Sequence, residues 1–342
     1  MRTRIEIANL RGIREGAIDD LAPLSILVGP NNSGKSTLLE ALWVHAHEGG
    51  TEAVYDLLHN RGWCGAESAK QLYFDPAKPV VVRCRQDDID SEVSFMFSVG
   101  YSSHLDSLME ELRENDDEVA FRIEVKKDGV VREERLIGEG GTTGTCWRGE
   151  VDEPPPEPQG ELICVGTVNT FGEVEDAYSA AVAKGMESHI QDLLPRLGLV
   201  DESLRILKRG DEYVLHTVAT GRQAIPLYMS GDGFKRLLLI ACVLAERAGQ
   251  LVLLEEPEAF QHPRYLHELS ALIWGAIAQG TQVVLSTHSL DLLRSLLLAE
   301  RADLSQAAVF KTALRGNVLR TARISGPQAQ ERLGELEEDL RI

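Results

Sequence analysis

The segment Gly29-Pro-Asn-Asn-Ser-Gly-Lys-Ser-Thr37 constrains this chain more than any other stretch. It follows the apolar run Leu24-Ser-Ile-Leu-Val28 and precedes Leu38-Leu-Glu-Ala-Leu-Trp43, so it reads as strand, glycine loop and helix. The pattern G-x-x-x-x-G-K-[ST] in that setting is a phosphate-binding loop. Its glycines let backbone N–H groups turn inward around phosphate oxygens, where side chains would obstruct. The helix beginning near Lys35 adds its unpaired N–H groups and the positive end of its dipole. The expected nucleotide-binding set is Gly29, Asn31, Asn32, Ser33, Gly34, Lys35, Ser36 and Thr37. Lys35 reaches the β- and γ-phosphates and the Ser36 hydroxyl takes a place on Mg²⁺.

A second signal is Leu251-Val-Leu-Leu-Glu-Glu-Pro-Glu258, where four apolar residues deliver carboxylates to the end of a buried strand. Glu255 is placed to hold magnesium, directly or through water. Glu256 is placed towards the γ-phosphate, to orient or deprotonate the attacking water. Taken alone the string is also an ordinary acidic strand–loop junction; the phosphate loop in the same chain favours the catalytic reading. Third is Ser286-Thr-His-Ser289, about thirty residues on, where His288 can donate to a γ-phosphate and sense its presence. Fourth is Ser230-Gly-Asp-Gly233 at the start of a helix, where a serine and glycines make a second phosphate-binding end. A plain helix cap explains that last motif equally well in isolation.

Composition sets limits on partners. The net charge of −19 repels phosphate backbones overall, so strong unaided DNA binding is not expected, although a local basic stripe can still contact DNA. Much of the acidity lies between Gln86 and Glu134 and reads as a solvated face. The opening Met-Arg-Thr-Arg-Ile-Glu-Ile7 alternates as a strand does and does not resemble a signal peptide. The longest apolar stretch, Leu237 to Ala245, is too short to span a membrane. Five scattered cysteines without a C-x-x-C pair suit reduced thiols, which points to a cytoplasmic protein without a zinc site.

The pattern predicts an α/β fold with a central, mostly parallel sheet flanked by helices. The whole of 1–342 is expected as one bilobal unit, with an antiparallel β-rich insert at 66–160 and a helical lobe at 171–225. A helix is expected over about 50–66, and Pro79–Cys84, Val93–Val99, Val119–Val125 and Val130–Leu136 as strands. Gly138–Gly144 reads as a loop and Glu153–Pro158 as a stiff linker. One helical segment is expected from Phe171 to Leu197, then strands near Ser203–Lys208 and Tyr213–Thr217. Helices at Phe234–Ala248, Arg264–Ala278 and Leu290–Leu298 alternate with strands at Leu251–Leu254 and Thr281–Leu285. Strands Ala307–Thr312 and Val318–Arg323 and a helix Gln328–Leu340 end the chain.

The order of phosphate loop, serine–glycine helix start, carboxylate strand and histidine resembles the ATP-binding-cassette ATPases. Within them the chain is similar to the branch holding RecF, SMC heads and the OLD-type prokaryotic ATPases. Ile5-Glu-Ile-Ala-Asn-Leu-Arg-Gly-Ile13 resembles that branch's opening strand and N-F-R-G turn, with Leu10 in place of phenylalanine. Glu255-Glu-Pro-Glu-Ala-Phe-Gln-His-Pro263 resembles the OLD-type E-E-P-E-x-x-x-H-P string. The resemblance covers about 1–45 and 225–295. It implies ATP and Mg²⁺ as cofactors and a homodimer in which two ATPs are sandwiched head to tail. Lys35, Ser36, Glu255, Glu256 and His288 of one chain would then meet Ser230 and Gly231 of the other. By the same analogy Arg11 touches nucleotide, a surface arginine being the competing reading, and the Q-loop glutamine is either Gln71 or Gln86. The OLD nucleases carry a Toprim domain after the ATPase, whereas only 54 residues follow His288 and contain no Asp-x-Asp pair. The implied role is therefore an ATP-driven switch in DNA repair, surveillance or antiphage defence beside a separate effector such as a nuclease or toxin. An ATP-binding scaffold that does not hydrolyse, a transporter ATPase subunit and a phosphate-loop kinase are the competing classes. The intact Glu256 argues against the first. The poor match of Ser230-Gly-Asp-Gly233 to L-S-G-G-Q argues against the second, and the otherwise unexplained His288 against the third.

Overall fold

The computed structural model describes residues 1–47, 53–54, 57, 70–98, 119–128, 130–138, 143–147, 160–163, 173–209, 212–300 and 302–341. Strands β1 (Arg2–Leu10), β2 (Ile13–Ile18) and β3 (Leu24–Val28) lead into helix α1 (Lys35–Ala46). Next come β4 (Val80–Gln86), β5 (Ile89–Ser98), β6 (Val119–Lys127), β7 (Val130–Gly138), β8 (Thr143–Trp147) and β9 (Gly160–Ile163). Helices α2 (Glu173–Ala183), α3 (Glu187–Gln191) and α4 (Leu193–Arg196) precede β10 (Glu202–Arg209), β11 (Glu212–Ala219) and β12 (Ile225–Pro226). The last third alternates α5 (Asp232–Glu246), β13 (Leu251–Glu255), α6 (Pro263–Ala278), β14 (Gln282–Ser286) and α7 (Leu290–Leu297). It closes with β15 (Ala307–Arg315), β16 (Val318–Ser325) and α8 (Gly326–Gly334).

Among the described residues, one sheet of thirteen strands runs in the order β8-β7-β6-β5-β4-β1-β2-β16-β15-β3-β14-β13-β9. Its β15-β3-β14-β13-β9 part is parallel, and β8 through β2 are antiparallel. The parallel strands are covered on both faces, which is why Leu24–Val28, Leu251–Glu255 and Gln282–Ser286 are buried at every position. The period-2 alternation divides them between two cores. Leu24, Ile26, Val252, Leu254, Val283 and Leu285 face the core holding α2, α5, α6 and α7, whereas Leu27, Leu251, Leu253 and Val284 face α1. Helix α1 is accordingly buried nearly all round and shows no polar face. A separate three-stranded sheet, β10-β11-β12, packs Leu204 and Leu215 into the first core.

Several elements differ from the sequence reading. The helical segment expected from Phe171 to Leu197 is broken after Ala183. Gly185 takes φ +76°, and the N–H groups of Met186 and Gly185 return to the carbonyls of Ala181 and Val182. Those two bonds form a left-handed helix stop that glycine favours. The final helix stops at Gly334 instead of Leu340, because the tail folds back to bury Leu340 completely. Strands β8 and β9 were not expected; each is four or five residues long, too short to carry a periodic signal. The hairpin between β15 and β16 turns through Gly316 (φ +58°) and Asn317 (φ +62°), the mirror-type turn that matches strand twist. The expected helix 50–66, apart from residues 53, 54 and 57, and the linker Glu153–Pro158 lie outside the described residues, as does the acidic run Glu110–Glu118.

Buried groups couple this packing to pH. His45, in the last turn of α1, is 7% exposed and its Nε2 lies 2.9 Å from Ser91 Oγ on β5. Burial, and then the nearby Arg2 charge, push its pKa from 6.5 down to about 4. A histidine held neutral in the fold and free to protonate when unfolded stabilises the protein above its unfolded pKa, and that contribution is lost as pH falls towards the folded value. We therefore expect urea-unfolding stability to fall between pH 6.5 and about 4, with a contribution from this group on the order of 3 kcal/mol. His45→Gln should flatten that part of the profile; an unchanged profile would exclude His45 as its source.

Candidate active site

The phosphate loop connects β3 to α1 at the carboxyl edge of the parallel strands, where open α/β sheets place ligands. Gly29 has φ +144°, and a Cβ there would lie 2.4 Å from the Thr312 carbonyl oxygen, so glycine is required on both counts. Gly34 (φ +93°) turns the chain into α1. The Lys35 ammonium donates to the carbonyls of Gly29 (3.0 Å) and Pro30 (2.9 Å) and lies 3.4 Å from Ser33 Oγ. Burial lowers its pKa, while Glu256 and Glu255 act in the opposite direction. Ser33 Oγ in turn sits 2.7 Å from Thr312 Oγ1, which donates to the Val28 carbonyl at 3.0 Å. The Ser33 hydroxyl is thereby engaged with β15, which leaves its backbone for a ligand.

Opposite the loop, β13 and β14 end side by side, with Glu255 paired to Ser286 in parallel register. Glu255 is buried (4% exposed), whereas Glu256 is turned outward by a left-handed backbone (φ +44°). That conformation costs a non-glycine residue about 1–2 kcal/mol, and here hydrogen bonds hold it. The Glu256 N–H donates to the Ser286 carbonyl at 3.0 Å, and its own carbonyl accepts from Ala259 N–H at 2.9 Å. Glu256 Oε1 lies 3.8 Å from His288 Nε2. Glu258 holds the histidine loop: its Oε1 accepts from the Thr287 hydroxyl (2.6 Å) and the His288 N–H (3.0 Å). From behind, Arg341 donates to the His288 carbonyl at 2.9 Å.

These groups share a cleft of about 500 Å³ lined by Arg11, Asn31, Asn32, Ser33, Gly34, Lys35, Ser36, Thr37, Glu256 and His288. That volume falls within the usual range of about 300–1,000 Å³ for small-molecule sites. Gly29 and Glu255 do not line the cleft; Glu255 is buried, and its charge acts on Lys35. Ser230 and Gly231 do not line this cleft. They stand before α5, with Gly231 exposed and open space beside its Cα. Gln71 and Gln86 do not line it either. Residues that sequence reasoning passed over also serve the site. Glu40, 2% exposed on α1, receives both of its 2.7 Å bonds from Arg11 Nη1, orienting that guanidinium at the cleft wall. A lone acid within Leu38-Leu-Glu-Ala-Leu42 was the available signal. Among the described residues no group of three or more His, Cys, Asp and Glu side chains can hold a metal unaided. Magnesium keeps phosphate and water ligands and needs only one or two protein oxygens, and the Ser36 hydroxyl on the cleft wall is of that kind.

Two family models match the chain. One, the "AAA ATPase domain", covers residues 1–128, and the other, "AAA domain, putative AbiEii toxin, Type IV TA system", covers 169–294. A curated relative, the uncharacterized protein MJECL10 of Methanocaldococcus jannaschii, is 37% identical over 83 residues, 23% of this chain and 38% of that protein. The match thus spans under half the length of that relative. Among solved structures, an SMC head bound to the C-winged helix domain of ScpA superposes with a TM-score of 0.51 at 11% identity, covering 95% of this chain and 98% of that one. The SMC head with coiled coil and joint from Pyrococcus yayanosii gives 0.50 at 10% identity over 98% and 99%. The two family models, both of AAA ATPase domains, fall on the two motif-bearing regions, and the fold is that of an SMC head.

The grip of Glu258 on the histidine loop leads to a specific expectation. Glu258→Ala removes both acceptor contacts from Thr287 and His288, and ATPase kcat should fall by at least about tenfold with KM little changed. A steady-state assay with unaltered kcat would show that His288 keeps its place without Glu258.

Proposed function

We propose that this protein is a Mg²⁺-dependent ATPase whose nucleotide closes a homodimer and whose hydrolysis releases it. Ser36 and Glu255 hold magnesium in this reading, Lys35 the β- and γ-phosphates, Glu256 the attacking water and His288 the γ-phosphate. The observation that carries it is the division of the motifs between two places. Lys35, Ser36, Glu256 and His288 line one cleft, while Ser230 and Gly231 stand outside it at the exposed start of α5. A second copy placed head to tail supplies the missing half, and ATP then contributes binding energy only to the dimer. With ATP and magnesium, Glu256→Gln should accumulate as a dimer in light scattering and Ser230→Arg should remain a monomer. Monomers in both cases would sink the composite site.

The wider role is a cytoplasmic switch in DNA surveillance, repair or defence that works with a separate effector such as a nuclease or toxin. The toxin–antitoxin description of the family over 169–294 supports the defence setting. Among the described residues no helix is long and apolar enough to cross a membrane. Contact with DNA is supported by one feature of a chain otherwise at −19: Ala307–Ser325, the β15–β16 hairpin, carries four cations and no carboxylate. Arg315 and Arg320 are exposed and line a hollow beside Gly29 and Pro30. If they neutralise phosphates, Arg315→Glu with Arg320→Glu should weaken binding to duplex DNA and reduce the slope of log K against log salt by about 2. Equal binding and slope in the double variant would remove the hairpin as a DNA contact.

A further inference from the structure

Arg236, in the second turn of α5, is the largest fully buried side chain among the described residues and is 0% exposed. A guanidinium in that position must be matched by acceptors, because an unmatched buried charge costs several kcal/mol. Its Nη2 donates to the main-chain carbonyls of Glu255 (2.7 Å) and Glu256 (3.2 Å). Those carbonyls flank the point at which the chain leaves β13 and enters the left-handed turn at Glu256. One Nη2 amino group that donates to two successive carbonyls restrains the two peptide planes flanking the Glu256 Cα, and with them the direction in which the Glu256 side chain leaves the backbone.

Two further contacts tie the start of α5 to the same loop. Gln261 Nε2 donates to the Gly233 carbonyl at 2.9 Å. Gly233 lies so close to the loop that a Cβ on it would stand 2.5 Å from the Phe260 carbonyl oxygen. The first turns of α5 and the segment Glu255–Gln261 therefore move together or not at all. We propose that Arg236 is a positioning residue for Glu256: it sets the glutamate's backbone from the helix that begins at Ser230, so that the two half-sites carried by one chain are mechanically joined. The proposal rests on the reading of Glu256 given above.

The test is a double-variant cycle in single-turnover and steady-state ATP hydrolysis, with thermal melting to confirm folding. Arg236→Met should lower kcat by about 10²-fold, the scale expected for a catalytic group displaced by about 1 Å, and leave KM unchanged. Arg236→Lys, which can still reach one carbonyl, should recover part of the loss. In a Glu256→Gln background Arg236→Met should cost nothing further, since its effect passes through Glu256, and ATP should still assemble the dimer. Losses that multiply in the double variant, beside a disabled Glu256→Gln chain, would overturn the role of Arg236 alone. A Glu256→Gln chain as active as wild type would overturn the reading of Glu256 and this proposal with it. Should Arg236→Met fail to fold, Gln261→Ala, at a partly exposed site, takes its place in the same cycle: a smaller loss absent from the Glu256→Gln background supports the strut, and multiplicative losses overturn it.

Discussion

Parallel register among four strands fixes where every reactive group can emerge. Glu255 lies opposite Ser286, Ser286 opposite Leu27, and Leu27 opposite Phe310, so β13, β14 and β3 reach their carboxyl ends within one residue of a single cross-strand row, which β15 crosses at Phe310 and runs past. The next residues of those strands are Glu256, Thr287, Val28 and Lys311, which places the carboxylate, the histidine loop and the phosphate loop along a single edge. A slip of one residue in any pair would reverse the faces of a strand buried on both sides, so the core opposes such a slip. The largely apolar strands thus do more than stabilise the fold: their packing sets the relative heights of the groups at that edge.

On that base, short-range interactions adjust the details. The phosphate loop is held by a hydrogen-bonded relay from Lys35 through Ser33 and Thr312 to Val28, which ties it to β15. Glu256 keeps an unfavourable backbone conformation because Ser286, Ala259 and Arg236 each bond its peptide groups. Glu258 anchors the histidine loop from the other side. Strain at a functional residue, compensated by neighbours that do no chemistry, is how a site can be preorganised before substrate arrives.

Much of this was legible in the sequence where the signal is local. The apolar runs 24–28, 251–254 and 281–285 bracket motifs whose spacing identifies strand ends, and the structure places strands there. The ATPase class follows from the same residues and agrees with the family matches. What was not legible depends on tertiary partners. Nothing near Arg236 in the sequence indicates that it will be the most buried large side chain, because its acceptors lie about twenty residues on, in a turn whose geometry no pattern encodes. The break at Gly185 was readable in principle, but the alanine-rich surroundings favoured one continuous helix. Short edge strands such as Gly160–Ile163 are selected by the sheet they join, β9 pairing with β13, and not by their own four residues.

In the proposed dimer each chain holds two halves of different ATP sites. That division is tested most directly by mixing two inactive chains, one with Lys35→Ala and one with Ser230→Arg. In a hybrid dimer one site combines the intact Lys35 of one chain with the intact Ser230 of the other. ATPase activity that is absent from each variant alone and appears on mixing is the predicted result. A mixture as inactive as its components, under conditions where hybrid dimers form, would contradict the account.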